Sequence, residues 1–284
     1  PVVSYMRELP RDTAPGETFV YKTGETDLAG ILLKTAAYGL LRFALPFFPH
    51  ASAEFAPVAM WLGVLGILYG AVLAYAQNDV KRLVAYTSIS HMGFVLIGIY
   101  AGTEQALQGA VINMLAHGIS AGALFILCGE IYERLHTRDL REMGGLWTRF
   151  PFLPPIALFF AAASLGLPGL ANFVGEFLIL VGTFNVDWVV TVFASGGLIL
   201  AAVYALIFVQ RAFYGPVHGR ENKMLADLNM RELATMLSLM ALLVFFGLYP
   251  RPVLELSKAP MHAVQALYQA AQATQSQAPA GGAP

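Results

Sequence analysis

The stretch from Phe152 to Phe184 limits the possible folds of this chain more than any other part. Phe152 to Ser164 is almost wholly apolar; Leu167-Pro168-Gly169 then interrupts the run, and Asn172 and Glu176 follow inside renewed apolar sequence. Proline has no amide hydrogen, so in an unbroken helix the carbonyl of Ser164, four residues earlier, would lose its partner. Inside a bilayer such a break is tolerated where neighbouring protein or a water-filled cavity satisfies the freed groups. A carboxyl placed beside the break is the pattern of an ion pathway, not of a passive anchor.

Hydrophobic residues make up 57% of the chain and charged residues 12%. Soluble domains average about 25% charged, so this is an integral membrane protein. Seven stretches, 28–48, 57–77, 82–101, 107–129, 152–184, 188–212 and 232–250, are long enough to cross about 30 Å of hydrocarbon. The fifth is too long for one straight span. The expected fold is all-α: a polytopic transmembrane bundle of about seven helices over 27–251, one of them broken at proline. A polar arm at 1–26 precedes it. An interfacial segment and a disordered tail are expected at 252–284, with Leu256, Val264, Leu267 and Tyr268 on the apolar side of the segment.

The loops after spans two, four and six carry Lys81, Arg82, Arg134, Arg138, Arg141, Arg149, Arg211, Arg220, Lys223 and Arg231; those after spans one, three and five carry no lysine or arginine. The positive-inside rule puts the first set in the cytoplasm with the N-terminal arm, and the C-terminus on the outer face. The one cysteine, Cys128, excludes an internal disulfide and four-cysteine metal or iron–sulfur sites. Nucleotide-binding glycine motifs, HExxH and CxxC are absent, so no cofactor and no metal is expected in this chain. A net charge of −1 argues against nucleic acid as a partner.

Four ionisable residues inside the apolar spans then become candidates for moving protons. Lys34 lies at the centre of Ile31-Leu32-Leu33-Lys34-Thr35-Ala36-Ala37, where a lysine costs roughly 2.5–3.5 kcal/mol to insert. Either it pairs with a carboxylate of another helix, or its desolvated ammonium loads and releases a proton; the second reading is favoured. Glu176 either satisfies the broken backbone or exchanges a proton, and both roles can coexist. Asn172, one turn earlier, is placed to bond that carboxyl or to hold a water. His91 has Thr87 one turn back, and His117 has Asn113. Each pair makes a polar stripe on one helix face, and neutral imidazole can accept on one nitrogen while donating from the other. A packed, hydrogen-bonded structural histidine is the competing reading for both. Arg42 is expected to snorkel to the interface. Asp79, Lys81 and Arg82 read as a topology-setting cytoplasmic turn, Cys128 as a small core residue, and Glu130, Glu133 and Asp139 as solvated charges paired with nearby arginines.

Asp79-Val80-Lys81-Arg82-Leu83-Val84-Ala85-Tyr86-Thr87-Ser88-Ile89-Ser90-His91-Met92-Gly93-Phe94 resembles the signature of antiporter-like subunits of respiratory complex I, which are themselves similar to large subunits of multisubunit sodium/proton antiporters. The stretches Gly30 to Phe43 and His136 to Leu146 resemble the M branch of that family in bacterial NADH–quinone oxidoreductases. So does the glutamate of Asn172-Phe173-Val174-Gly175-Glu176-Phe177, where the sister branches L and N carry lysine. The resemblance runs from about Asp27 to the 260s. It implies that spans two to six form one five-helix repeat, and that the chain is a C-terminal portion lacking an earlier inverted repeat. It also implies a proton path with Lys34 at its centre, Glu176 as terminal carboxyl and His91 and His117 between, driven by redox chemistry in other subunits. Expected partners are the lipid bilayer, protons and the complex I membrane subunits L and N, in a bacterial inner membrane. A sodium/proton antiporter subunit and a non-conducting scaffold are the rival readings.

Overall fold

The computed structural model describes residues 35–216 and 226–277. The polar arm, Lys34, Arg220, Lys223 and the last residues of the tail lie outside the described residues. Residues 35–47 are helical and pass through a wide π-type turn at Leu40–Ala44. Among the described residues eight longer helices follow: α1 (Pro49–Tyr75), α2 (Val80–Ala101), α3 (Glu104–Leu135), α4 (Leu153–Ser164), α5 (Ala171–Phe184), α6 (Trp188–Phe213), α7 (Met230–Leu248) and α8 (Arg251–Gln277). The protein is an all-α, multi-pass membrane bundle. Among the described residues, five helices, α1, α2, α3, α6 and α7, are long and apolar enough to cross a bilayer. α1 starts eight residues before the expected position because Pro57, the anticipated boundary, is accommodated inside the helix.

Helix starts follow from capping chemistry. The Asp79 carboxylate accepts from the amides of Lys81 and Arg82 at 2.8 and 3.0 Å. Asp187 does the same for Val189 and Val190, and the Thr103 hydroxyl accepts from Ala106. Asn229 and Glu232 form a reciprocal capping box at the start of α7. Arg134 ties the α7 start to α3: it pairs with Glu130 and Glu232 at 2.6 and 2.7 Å and donates to the carbonyls of Ala226 and Asp227. Asp227 in turn accepts from the amide of Phe152, just before α4. Glu130, Glu133 and Glu232 come within metal-binding reach of one another, but Arg134 already supplies the cation for two of them.

Helices approach closely where both carry small residues. Gly63 and Gly70 on α1 meet Gly93 and Ser90 on α2, while Gly109 and Asn113 on α3 meet Gly175 on α5. Apolar packing forms two clusters. One gathers Val80–Val84, Leu124–Ile131 and Tyr204–Phe213; the other gathers Phe94–Ala101, Ala106–Ala110 and Val190–Ala194. Between them runs a belt of buried polar side chains: Thr87, Ser88, His91, Asn113, His117, Ser120, Ser164, Asn172 and Glu176. His91 stands at the middle of α2, ten to eleven residues from either end. That is about 15 Å at the rise of an α-helix, or half the thickness of a bilayer core.

α8 docks across one end of the bundle against α1, α3 and residues 45–47. Its buried stripe is Ser257, Met261, Val264, Tyr268 and Ala271, the three-and-four spacing of one helix face. Val264 and Tyr268 match the expected apolar side. Leu256 and Leu267 do not: they are 83% and 45% exposed, and Ser257 is buried in place of Leu256.

Candidate functional site

The break in the fifth span is built from two features. α4 ends in a Schellman motif: the Leu167 amide donates to the Ala162 carbonyl at 3.1 Å and the Gly166 amide to the Ala163 carbonyl at 3.2 Å, with Gly166 left-handed at φ +77°. Pro168 follows at once and Gly169, at φ +97°, redirects the chain into α5. The two half-helices, 12 and 14 residues long, are each about 20 Å at most, so each reaches only part-way across the membrane. α7 seals the break from outside, with Gly247 so close to the backbone of Gly169 and Leu170 that a methyl group there would overlap it.

Glu176 projects from the second turn of α5 and is 2% exposed. Its Oε1 lies 2.8 Å from His91 Nδ1. Its other carboxylate oxygen, Oε2, faces Gly166, where an added Cβ would stand 2.8 Å away. This left-handed position therefore needs glycine for its dihedral and again for the carboxyl. The opposite nitrogen of His91, Nε2, faces the Ser164 hydroxyl at 3.2 Å and the Tyr204 hydroxyl at 3.1 Å. The His117 ring lies beside the His91 ring, centroids 5.2 Å apart at an angle of 39°. Five helices, α2, α3, α4, α5 and α6, thus converge on one imidazole.

This arrangement is satisfiable in two proton states. With Glu176 ionised, His91 donates from Nδ1 and accepts on Nε2 from Ser164 or Tyr204. With Glu176 protonated, the carboxyl donates to Nδ1, and Nε2 carries the hydrogen and donates to a hydroxyl. Moving between the states shifts a proton across the ring and leaves no group without a bond. A site that stabilises both states can pass a proton on.

Three of the four anticipated residues, His91, His117 and Glu176, come together; Lys34 lies outside the described residues. The structure distinguishes the two histidines. His91 touches the carboxyl and His117 stands behind it. Asn172 does not bond Glu176; its amide nitrogen donates to Ser120 at 3.0 Å. Lys81, expected as a topology-setting turn residue, is 4% exposed in the first turn of α2. Tyr204 and Ser164 were not anticipated as partners of a histidine. The signal for Tyr204 is a lone tyrosine among small residues in Ala201-Ala202-Val203-Tyr204-Ala205, since a buried phenol needs a partner.

Residues 25–202 match the family described as NADH:quinone oxidoreductase/Mrp antiporter, TM; that range contains all four anticipated residues. The chain is 62% identical over 265 residues to NADH-quinone oxidoreductase subunit M of Pseudomonas aeruginosa, covering 93% of this chain and 51% of that protein. It is 59% identical over 243 residues to the Escherichia coli K12 subunit M, covering 85% and 48%. The chain therefore spans about half the length of these curated relatives. Among solved structures, a chain of respiratory complex I from Thermus thermophilus with bound NADH superposes with a TM-score of 0.81 at 32% identity, over 87% of this chain and 52% of that one. A chain of the Mrp complex from Dietzia sp. shares the fold, with a TM-score of 0.76 at 18% identity, over 87% and 55%.

Proposed function

The chain belongs to the NADH:quinone oxidoreductase/Mrp antiporter membrane family, and from that premise we propose that it is the proton-conducting C-terminal half of a complex I subunit of the M type. It works in a bacterial inner membrane, beside other antiporter-like subunits of types L and N. Redox energy comes from elsewhere in the enzyme, and this chain carries no cofactor of its own. A shift of charge in a neighbouring subunit changes the proton affinity of Lys34. The proton then passes by way of His117 and His91 to Glu176, and leaves on the outer face. The observation that carries this reading is the buried His91–Glu176 contact of 2.8 Å at a helix break, with Ser164 and Tyr204 completing the imidazole.

The test is proton pumping by the assembled enzyme in proteoliposomes. Glu176→Gln keeps the shape and can still bond His91, but it cannot ionise. It is expected to assemble, and to lower the protons moved per NADH oxidised. Normal pumping by this variant would refute the relay.

A further inference from the structure

Asn113 and Asn172 stand outside the chain of contacts just described, yet both are 0% exposed. Asn113 lies one turn before His117 on α3, and neither its amide nitrogen nor its amide oxygen has a hydrogen-bond partner among the described residues. Turning the amide over exchanges the two atoms and leaves both without a bond. The oxygen of Asn172 is in the same position, while its nitrogen is held by Ser120.

Buried polar atoms in native proteins have partners in the great majority of cases, ordered water included. Here the partner cannot come from outside, because the atoms are sealed from the surface: neither another subunit nor a lipid headgroup reaches them while α3 and α5 stay packed. Nor is there room for an extra side chain where the helices meet. A Cβ added at Gly175 would lie 2.7 Å from both the Cβ and the backbone nitrogen of Asn113. A molecule that both donates and accepts, and is no larger than water, is what the three atoms require.

We propose that Asn113 and Asn172 hold ordered water between α3 and α5, and that the water at Asn113, beside Gly175 and on the outward side of the His117–His91–Glu176 relay, carries protons from that relay to the outer face. Asn113 is one turn nearer than His117 to the α3 N-terminus, the end that the loop charges assign to the outside. The proton role rests on the relay reading above; the water itself does not. Asn113 is then a positioning residue, acting through the water it binds.

The experiment is a cryo-EM water map of the assembled enzyme together with pumping by two variants. Water density within hydrogen-bonding reach of the Asn113 amide is expected. Asn113→Leu, which fills the space with carbon, is expected to lose that density and lower the protons moved per NADH several-fold. Asn113→Ser, which keeps a polar group and leaves room, is expected to recover most of it. A dry Asn113 in the parental map overturns the proposal, whether or not the leucine variant assembles. Full pumping by Asn113→Leu beside impaired Glu176→Gln overturns the proton role alone. Full pumping by both overturns the relay reading, and this role falls with it.

Discussion

His91 is the junction of the site because an imidazole alone among the buried groups here can exchange roles at two atoms 2.8–3.2 Å from their neighbours. Removing either end has different consequences. His91→Ala strips the Glu176 carboxyl of the imidazole it bonds, and a buried polar group left without its partner costs roughly 1–3 kcal/mol. That variant is expected to assemble poorly, which immunoblotting of membranes against a second subunit would measure. Tyr204→Phe deletes one hydroxyl while Ser164 still serves Nε2, so assembly is expected to persist with about 1 kcal/mol lost and pumping reduced less than in Glu176→Gln. His91, His117 and Glu176 were legible as buried neighbours because an ionisable side chain in an apolar run must find a partner inside the bundle, whether that partner is structural or functional; Lys34 lies outside the described residues. The partners of His91 were not: they lie 73 and 113 residues away in sequence, and which faces meet depends on helix crossing, which no single helix's periodicity encodes. The same limit hid the order of the two histidines.

At the scale of elements, the break was legible from Pro168, but the structure gives the leading part to Gly166. The Schellman bonds at Ala162 and Ala163 end α4 before the proline is reached. Pro168→Ala is therefore expected to keep the break and most activity. Gly166→Ala has to adopt a left-handed conformation, at about 1–2 kcal/mol, and drives its methyl into the Glu176 carboxyl; pumping should fall well below that of Pro168→Ala in the same membranes. α8 was legible as an amphipathic helix but not in its register. Its Pro260 removes the amide that would have bonded the carbonyl of Leu256, and the helix turns that residue outward. Tyr268 anchors α8 by donating to the Tyr100 carbonyl at 3.0 Å, and its ring covers Gly102. Burial pushes the Tyr268 phenol up to about 12, against about 10 for a free tyrosine. A phenol whose folded value is raised favours docking fully below the free value, and the benefit is lost as pH rises from there through the folded one. Hydrogen exchange of α8 should thus stay slow through pH 9 and accelerate in stronger alkali, and Tyr268→Phe should abolish that step.

For the whole molecule, the alternation of helix directions divides the connections into two sets, and the charges fall almost entirely on one. The loops joining α1 to α2, α3 to α4 and α6 to α7 hold or adjoin Lys81, Arg82, Arg134, Arg138, Arg141, Arg149 and Arg211. Those joining α2 to α3 and α5 to α6 contain no lysine or arginine. A basic loop resists transfer across the membrane during insertion, which supports the proposed orientation with the first set in the cytoplasm. In that proposed orientation the proposed relay lies at mid-depth and α8 along the outer face, where Tyr268 closes the α2–α3 turn. Cysteine labelling tests this arrangement directly, because the one native thiol, Cys128, is buried and contributes little background. Thr137→Cys marks the basic side and Asn185→Cys the other; both lie in or beside a loop, away from the relay. A membrane-impermeant maleimide should label residue 185 in right-side-out vesicles and residue 137 only in inverted ones. The reverse pattern would place the basic loops outside and send the Glu176 exit toward the cytoplasm, which no outward proton pump of this design could use.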